Sequence, residues 1–152
     1  MVRSLLRIFV NLLPTKIAYA HCDVPCGIYD PKPAQIAAAT VLKMVEKIQA
    51  LPQANADDKN SVNNYYNSLV RYVFTKEEHA GKCKEEILIL WTDYFKPEHL
   101  GKFPNLHDKF WETAKLCSVN KQEVSLQHAK ELVQAVAEIA EIFQKSKETS
   151  QK

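Results

Sequence analysis

From Pro33 onward, apolar side chains recur every three or four positions in successive long segments, and this period decides the fold class. Such spacing gathers the apolar side chains on one helical face, whereas a half-buried strand would alternate. The first segment, 34–51, presents Ala38, Val41, Leu42, Val45 and Ile48, and Pro52 ends it. The second begins near Asp57 and runs to about Tyr94. One stripe there is Val62, Tyr66, Leu69, Val70 and Val73, and another is Ala80, Cys83, Ile87, Leu90, Trp91 and Tyr94. Gly81 lies between the stripes, where a kink is expected. The third, 105–118, carries Leu106, Phe110, Ala114 and Cys117. The fourth, 122–146, carries Leu132, Val136, Ile139, Ala140 and Phe143, with Lys145 and Lys147 suited to a helix C-terminus. "KSKETSQK" at the end reads as a frayed polar tail. Four amphipathic helices with short connections predict an all-α, four-helix bundle. The chain's three glycines in 152 residues agree with a helical chain.

Charge narrows the function. The net charge of +2 and the lack of a basic stripe argue against a nucleic-acid surface, and no apolar run is long enough to span a membrane. The charge is unevenly placed, because residues 1–20 hold Arg3, Arg7 and Lys16 and no acid. Removing these three leaves 17 basic side chains against 18 acids. The segment "MVRSLLRIFVNLLPTKIAYA" ends in Ala-Tyr-Ala and reads as a removable pro-segment, cut before His21 by a processing peptidase. A secretory signal is the other reading. Arg7 and Asn11 break its apolar stretch and Lys16 sits near the cut, so a cytoplasmic location is expected. The domain then comprises residues 21–152, with a hook at 21–31.

That hook, "HCDVPCGIYDP", is the densest group of metal-ligating side chains in the chain. Cleavage before His21 creates an α-amine beside an imidazole. Cys22 adds a thiolate and a backbone amide nitrogen, and Cys26 adds a second thiolate. Adjacent donors close five-membered chelate rings, which makes the N2S2 set flat. Flat N,S donor sets suit Ni(II) or Cu(II), whereas Zn(II) prefers a tetrahedron. The imidazole of His21 stays available for an axial position. Asp23, Val24, Pro25 and Gly27 form the loop that folds Cys26 back; Pro25 fixes φ. Tyr29 lies just outside, where a phenol could order water or a small anion. An internal histidine has no α-amine, so the pro-segment withholds a ligand until it is cut.

"HCDVPCGIYDP" resembles the N-terminal nickel hook of the nickel superoxide dismutases, His-Cys-x-x-Pro-Cys-Gly-x-Tyr. "LWTDYFKPEH", Leu90–His99, resembles a second stretch of that family, and the resemblance covers essentially residues 21–146. It implies a four-helix bundle assembled as a homohexamer, with one nickel ion per chain on His21, Cys22 and Cys26. It implies disproportionation of superoxide to oxygen and hydrogen peroxide by Ni(II)/Ni(III) cycling. Two thiolates and an anionic amide donate enough charge to bring Ni(III) within reach. Tyr29 and Tyr94 would stand at the substrate entrance. Asp23 and Pro25 would support the hook, and Lys84 and Lys96 would steer the anion.

Two positions depart from the pattern. Some family members support the axial histidine with a Glu and an Arg where this chain has Ala37 and His79. The expectation is a working hook with altered axial tuning: either the axial bond is weaker, or His79 takes over through a water. Two further readings stay open on the residues alone. One is a non-enzymatic zinc- or copper-holding helical module that needs no cleavage. The other is a secreted protein in which Cys22 and Cys26 pair. Cys83 and Cys117 fall on apolar helix faces and read as core thiols. Trp91 and Trp111 read as core anchors, Tyr65 and Tyr66 as packing or interface residues. His99, His107 and His128 read as surface or loop histidines.

Overall fold

A computed structural model of the chain describes residues 28–149. The hook ligands His21, Cys22 and Cys26, with Asp23 and Pro25, lie outside the described residues. Four α-helices follow in order: α1 (Lys32–Gln49), α2 (Lys59–Ile89), α3 (Leu106–Gln122) and α4 (Leu126–Thr149). No strand occurs among the described residues, as the 3–4 spacing requires. The helices pack as a ring, α1 on α2, α2 on α3, α3 on α4 and α4 on α1.

Each helix starts where local chemistry permits. Pro31 and Pro33 open α1 with φ already helical. Asp58 caps α2 by accepting the Asn60 N–H at 2.9 Å. Ser125 caps α4, its Oγ accepting the His128 N–H at 3.2 Å. The buried face of α1 is nearly all small: Ala34, Ala37, Ala38, Val41 and Val45. That of α4 runs Ala129, Leu132, Val136, Ile139, Ala140, Phe143 and then Ser146.

Several expectations need correction. Helix α2 runs through Gly81 without a break, and its α-geometry ends instead in a π-helical turn over Leu90–Tyr94. The stripe on the first half of α2 is not core, since Tyr66 and Val70 are 59% and 64% exposed. Phe74, on the same side, is 69% exposed. The reason is helix length. Lys76 hydrogen-bonds to the backbone of Asn120, Lys121 and Glu123, and Trp91 bonds to His107. Those contacts set α3 level with the second half of α2 in antiparallel register, so the residues before Lys76 have α1 but no α3 beside them. Trp111 is likewise no core anchor; it is 56% exposed, with the Lys115 ammonium over its ring. Trp91 is half-buried and stacks on Phe110, ring centroids 5.9 Å apart.

Helix α3 extends four residues past the expected end, to Gln122, because Lys76 closes it. The Lys76 side chain is 1% exposed. Its ammonium donates to the carbonyls of Asn120, Lys121 (3.0 Å) and Glu123 (3.0 Å), oxygens that a helix C-terminus leaves unpaired. Burial pulls the Lys76 pKa below its ordinary value. Asn120 joins α3 to the start of α4, its amide donating to Leu116 O and His128 O, each at 3.0 Å.

Candidate metal centre

The π-helical turn falls on "LWTDY", inside one of the two stretches the sequence singles out. Its widened ladder is marked by the Phe95 N–H, which donates to Leu90 O at 3.1 Å, five residues back. A π-turn inserts one residue into a helical repeat and so rotates the next side chains off the old face. Here it delivers Phe95 into the core against Phe110, ring centroids 5.4 Å apart. It sends Tyr94 across to α4, where its ring meets Phe143 at 4.5 Å.

Tyr94 is the hub of the site. Its ring lies 5.5 Å from that of Tyr29, three residues after Cys26 in sequence. The structure therefore brings together two predicted site residues that are 65 positions apart. The Tyr94 hydroxyl lies 2.7 Å from Ser146 Oγ, and Ser146 Oγ donates to Phe143 O at 2.7 Å. A carbonyl only accepts, so the single serine proton is committed to Phe143. The phenol must then donate to Ser146, which leaves the lone pairs of the Tyr94 oxygen as acceptors. His99 completes the cluster: its ring stacks on Tyr94 at 5.9 Å, and its Nδ1 accepts the Lys96 N–H at 2.8 Å.

Ser146 and His99 escape the sequence reasoning. Ser146 falls within the segment that reads as a frayed tail, yet it is 1% exposed. A signal for it exists, since Ile139, Phe143 and Ser146 continue the 3–4 spacing of α4. His99 belongs to the Leu90–His99 stretch but reads there as a loop histidine.

The remaining candidates lie elsewhere. Lys96 is exposed on the connection after the π-turn. Lys84 is half-buried and donates to Ser118 Oγ at 3.1 Å, tying α2 to α3. His79 Nδ1 donates to Thr75 O at 2.9 Å, which in the neutral ring leaves Nε2 as an acceptor. Ala37 is buried on α1 and brings no charge. Among the described residues, no group of three or more His, Cys, Asp or Glu side chains converges as a metal site. The donor set the sequence predicts in the hook, two thiolates with an amine and an amide nitrogen, is strongly donating, and that chemistry fits nickel.

Residues 16–147 match the family described as nickel-containing superoxide dismutase. The chain belongs to that family. It is 34% identical over 134 residues to superoxide dismutase [Ni] of Streptomyces coelicolor, covering 88% of this chain and 93% of the relative. It is 34% identical over 128 residues to superoxide dismutase [Ni] of Streptomyces seoulensis, covering 84% of this chain and 88% of the relative. A solved structure of nickel superoxide dismutase in its native form superposes with a TM-score of 0.70 at 34% identity, covering 84% of this chain and 99% of that one. The all-helical bundle is thus the fold of the nickel superoxide dismutases. The reading as a non-enzymatic zinc- or copper-holding module finds no support in these relatives. No helix among the described residues is long and apolar enough to cross a membrane.

Proposed function

We propose that this chain disproportionates superoxide to oxygen and hydrogen peroxide at a nickel ion held by the hook, one per chain. The observation that carries the reading is the match over residues 16–147, which spans the hook and the bundle together. The α-amine and imidazole of His21, the amide and thiolate of Cys22 and the thiolate of Cys26 would hold the metal. When bound there, nickel supplies the one-electron couple that the side chains lack.

The chain's own groups handle the anion and water. Tyr29 and Tyr94 narrow the approach with two rings 5.5 Å apart. Because Tyr94 donates to Ser146, its oxygen is set to accept from water rather than to donate to it. Lys96, on the exposed connection beside Tyr94, is placed to raise the local concentration of an anion. Lys84 is engaged with Ser118, so any steering by it is weaker. His79 Nε2 could accept a hydrogen bond through a water, in place of the acid and arginine that some relatives use.

Residues 1–20 act as a pro-segment that a peptidase removes, and 21–152 form the mature domain, working in the cytoplasm as a homohexamer. The row Tyr66, Val70 and Phe74 supports self-association, since three large apolar side chains spaced one helical turn apart stand in solvent. Replacing Val70 and Phe74 by Ser should shift the assembly toward smaller species by light scattering; an unchanged mass would exclude this row from the interface.

The decisive experiment compares nickel-loaded protein beginning at His21 with the same protein retaining residues 1–20. Superoxide consumption confined to the cleaved form is expected. No consumption by either form, with nickel bound, would overturn the reading.

A further inference from the structure

Cys83 and Cys117 are two free thiols, each 0% exposed, that the proposed dismutase chemistry does not use. Their positions are level. Helices α2 and α3 run antiparallel, and their cross-contacts advance in step: Lys76 with Glu123, Lys84 with Ser118, Trp91 with His107. Over these contacts 15 residues of α2 advance against 16 of α3, which sets residue 83 about level with residue 117. Ala80 and Ala114, one helical turn before each thiol, are both buried and small. Both belong to the same buried core cluster.

We propose that Cys83 and Cys117 form a peroxide-reactive dithiol that closes into a disulfide joining α2 to α3. The inference rests on the dismutase reading for the source of oxidant, because that reaction releases hydrogen peroxide inside the assembly. The two sulfurs are not equivalent. The Lys84 ammonium donates to Ser118 Oγ at 3.1 Å, next in sequence to Cys117, and its positive charge favours the Cys117 thiolate. Cys117 is therefore the attacking sulfur. Its thiolate attacks one peroxide oxygen; the O–O bond breaks, hydroxide leaves and takes a proton as water, and Cys117 becomes a sulfenic acid. The Cys83 sulfur then attacks the sulfenic sulfur, the S–O bond breaks, and its thiol proton leaves with the hydroxide as a second water. Two thiols and one peroxide give one disulfide and two waters, with the sulfurs oxidised by two electrons and the peroxide reduced by two.

Burial sets the selectivity. A small neutral peroxide reaches the pair during local opening of the helices, whereas a bulky maleimide does not. The disulfide would close a loop of more than thirty residues and restrict the unfolded chain, raising the midpoint of thermal unfolding by about 10 °C.

The test treats the nickel-loaded, cleaved protein with added hydrogen peroxide, digests it without reduction, and maps peptides by mass. The expected result is a Cys83–Cys117 linked peptide, two hydrogens lighter than its parts. It should appear at peroxide levels that leave the native thiols unlabelled by maleimide, and reductant should reverse it. Cys83→Ala should leave Cys117 as a sulfenic or sulfinic acid with no link, and Cys117→Ala should leave Cys83 unoxidised. Two unlinked thiols after treatment, or two sulfinic acids in the parent chain, would overturn the proposal. Because the peroxide is added, this outcome is independent of dismutase activity, which the peroxide yield from superoxide measures separately.

Discussion

Replacing Ser146 by Ala removes one oxygen from a buried pair of hydrogen bonds. Ser146 Oγ is 2.7 Å from the Tyr94 hydroxyl and donates to Phe143 O at 2.7 Å. Without it the phenol keeps its ring contacts to Phe143 and Phe95 but loses the acceptor for its proton. A neutral hydrogen bond contributes about 1 kcal/mol net, and a buried donor left without a partner costs about 1–3 kcal/mol. Tyr94 is only half-buried, so water partly replaces the serine and the expected loss is roughly 1–2 kcal/mol. Tyr94→Phe removes donor and partner need together, while Ser146 retains Phe143; its loss is expected to be smaller, about 0.5–1 kcal/mol. The two changes touch the same bond, so they cannot add. Urea unfolding of the parent, both single variants and the double variant at one protein concentration closes the cycle, with an expected coupling of roughly 0.5–1.5 kcal/mol. Losses that add to within about 0.3 kcal/mol would refute the shared bond and the donor assignment built on it. Superoxide consumption supplies a second reading. Ser146→Ala frees the phenol proton to point toward Tyr29, so its pH profile should differ from that of Tyr94→Phe, which has no phenol at all.

Lys76→Met leaves the carbonyls of Asn120, Lys121 and Glu123 without their shared donor and should cost about 2–4 kcal/mol in denaturant unfolding, with amide exchange rising first at the end of α3; unchanged stability would refute its role as the α3 cap. Gly81→Ala should stabilise α2 by about 0.5–1 kcal/mol, because a Cβ there meets nothing within 4 Å and the helix is continuous; a fall in thermal midpoint would refute the open space. The Lys109 ammonium lies 2.5 Å from Glu138 and holds its carboxyl below the ordinary 4.5. A depressed carboxyl stabilises the fold above its unfolded range and loses that contribution as pH falls through the folded value. Lys109→Met should therefore cost up to about 1 kcal/mol at pH 7, with the gap to the parent closing below the ordinary carboxyl range; a gap that persists in acid would assign the loss to packing.

Most of the bundle was legible because the 3–4 spacing of apolar residues is a local property. Val41 and Val45, or Leu132, Val136 and Ile139, mark their helix and its inner face with no knowledge of a neighbour. Where a side chain's fate depended on a neighbour, the spacing misled. Tyr66 and Val70 have the right period, but no helix lies over them. Trp111 has the right size, but its side of α3 faces solvent. The end of α3 was unreadable for the same reason, since the group that closes it, Lys76, comes from another helix.

The candidate site divides along the same line. The proposed donors His21, Cys22 and Cys26 sit within six residues, and the proposal follows from residue type and order. The phenol that faces the hook end of the chain does not. Tyr94 reaches Tyr29 only because a π-turn rotates it off α2, and its proton is committed only because α4 places Ser146 beneath it. The level placing of Cys83 and Cys117 likewise needs the antiparallel register of α2 and α3. Sequence alone determined the four helices and most of their inner faces, and it proposed a ligand set, because these are read over a few bonded neighbours. Tertiary structure decided which helix ends are closed, which apolar rows stay in water and which hydroxyls and thiols meet, because those depend on packing between residues tens of positions apart.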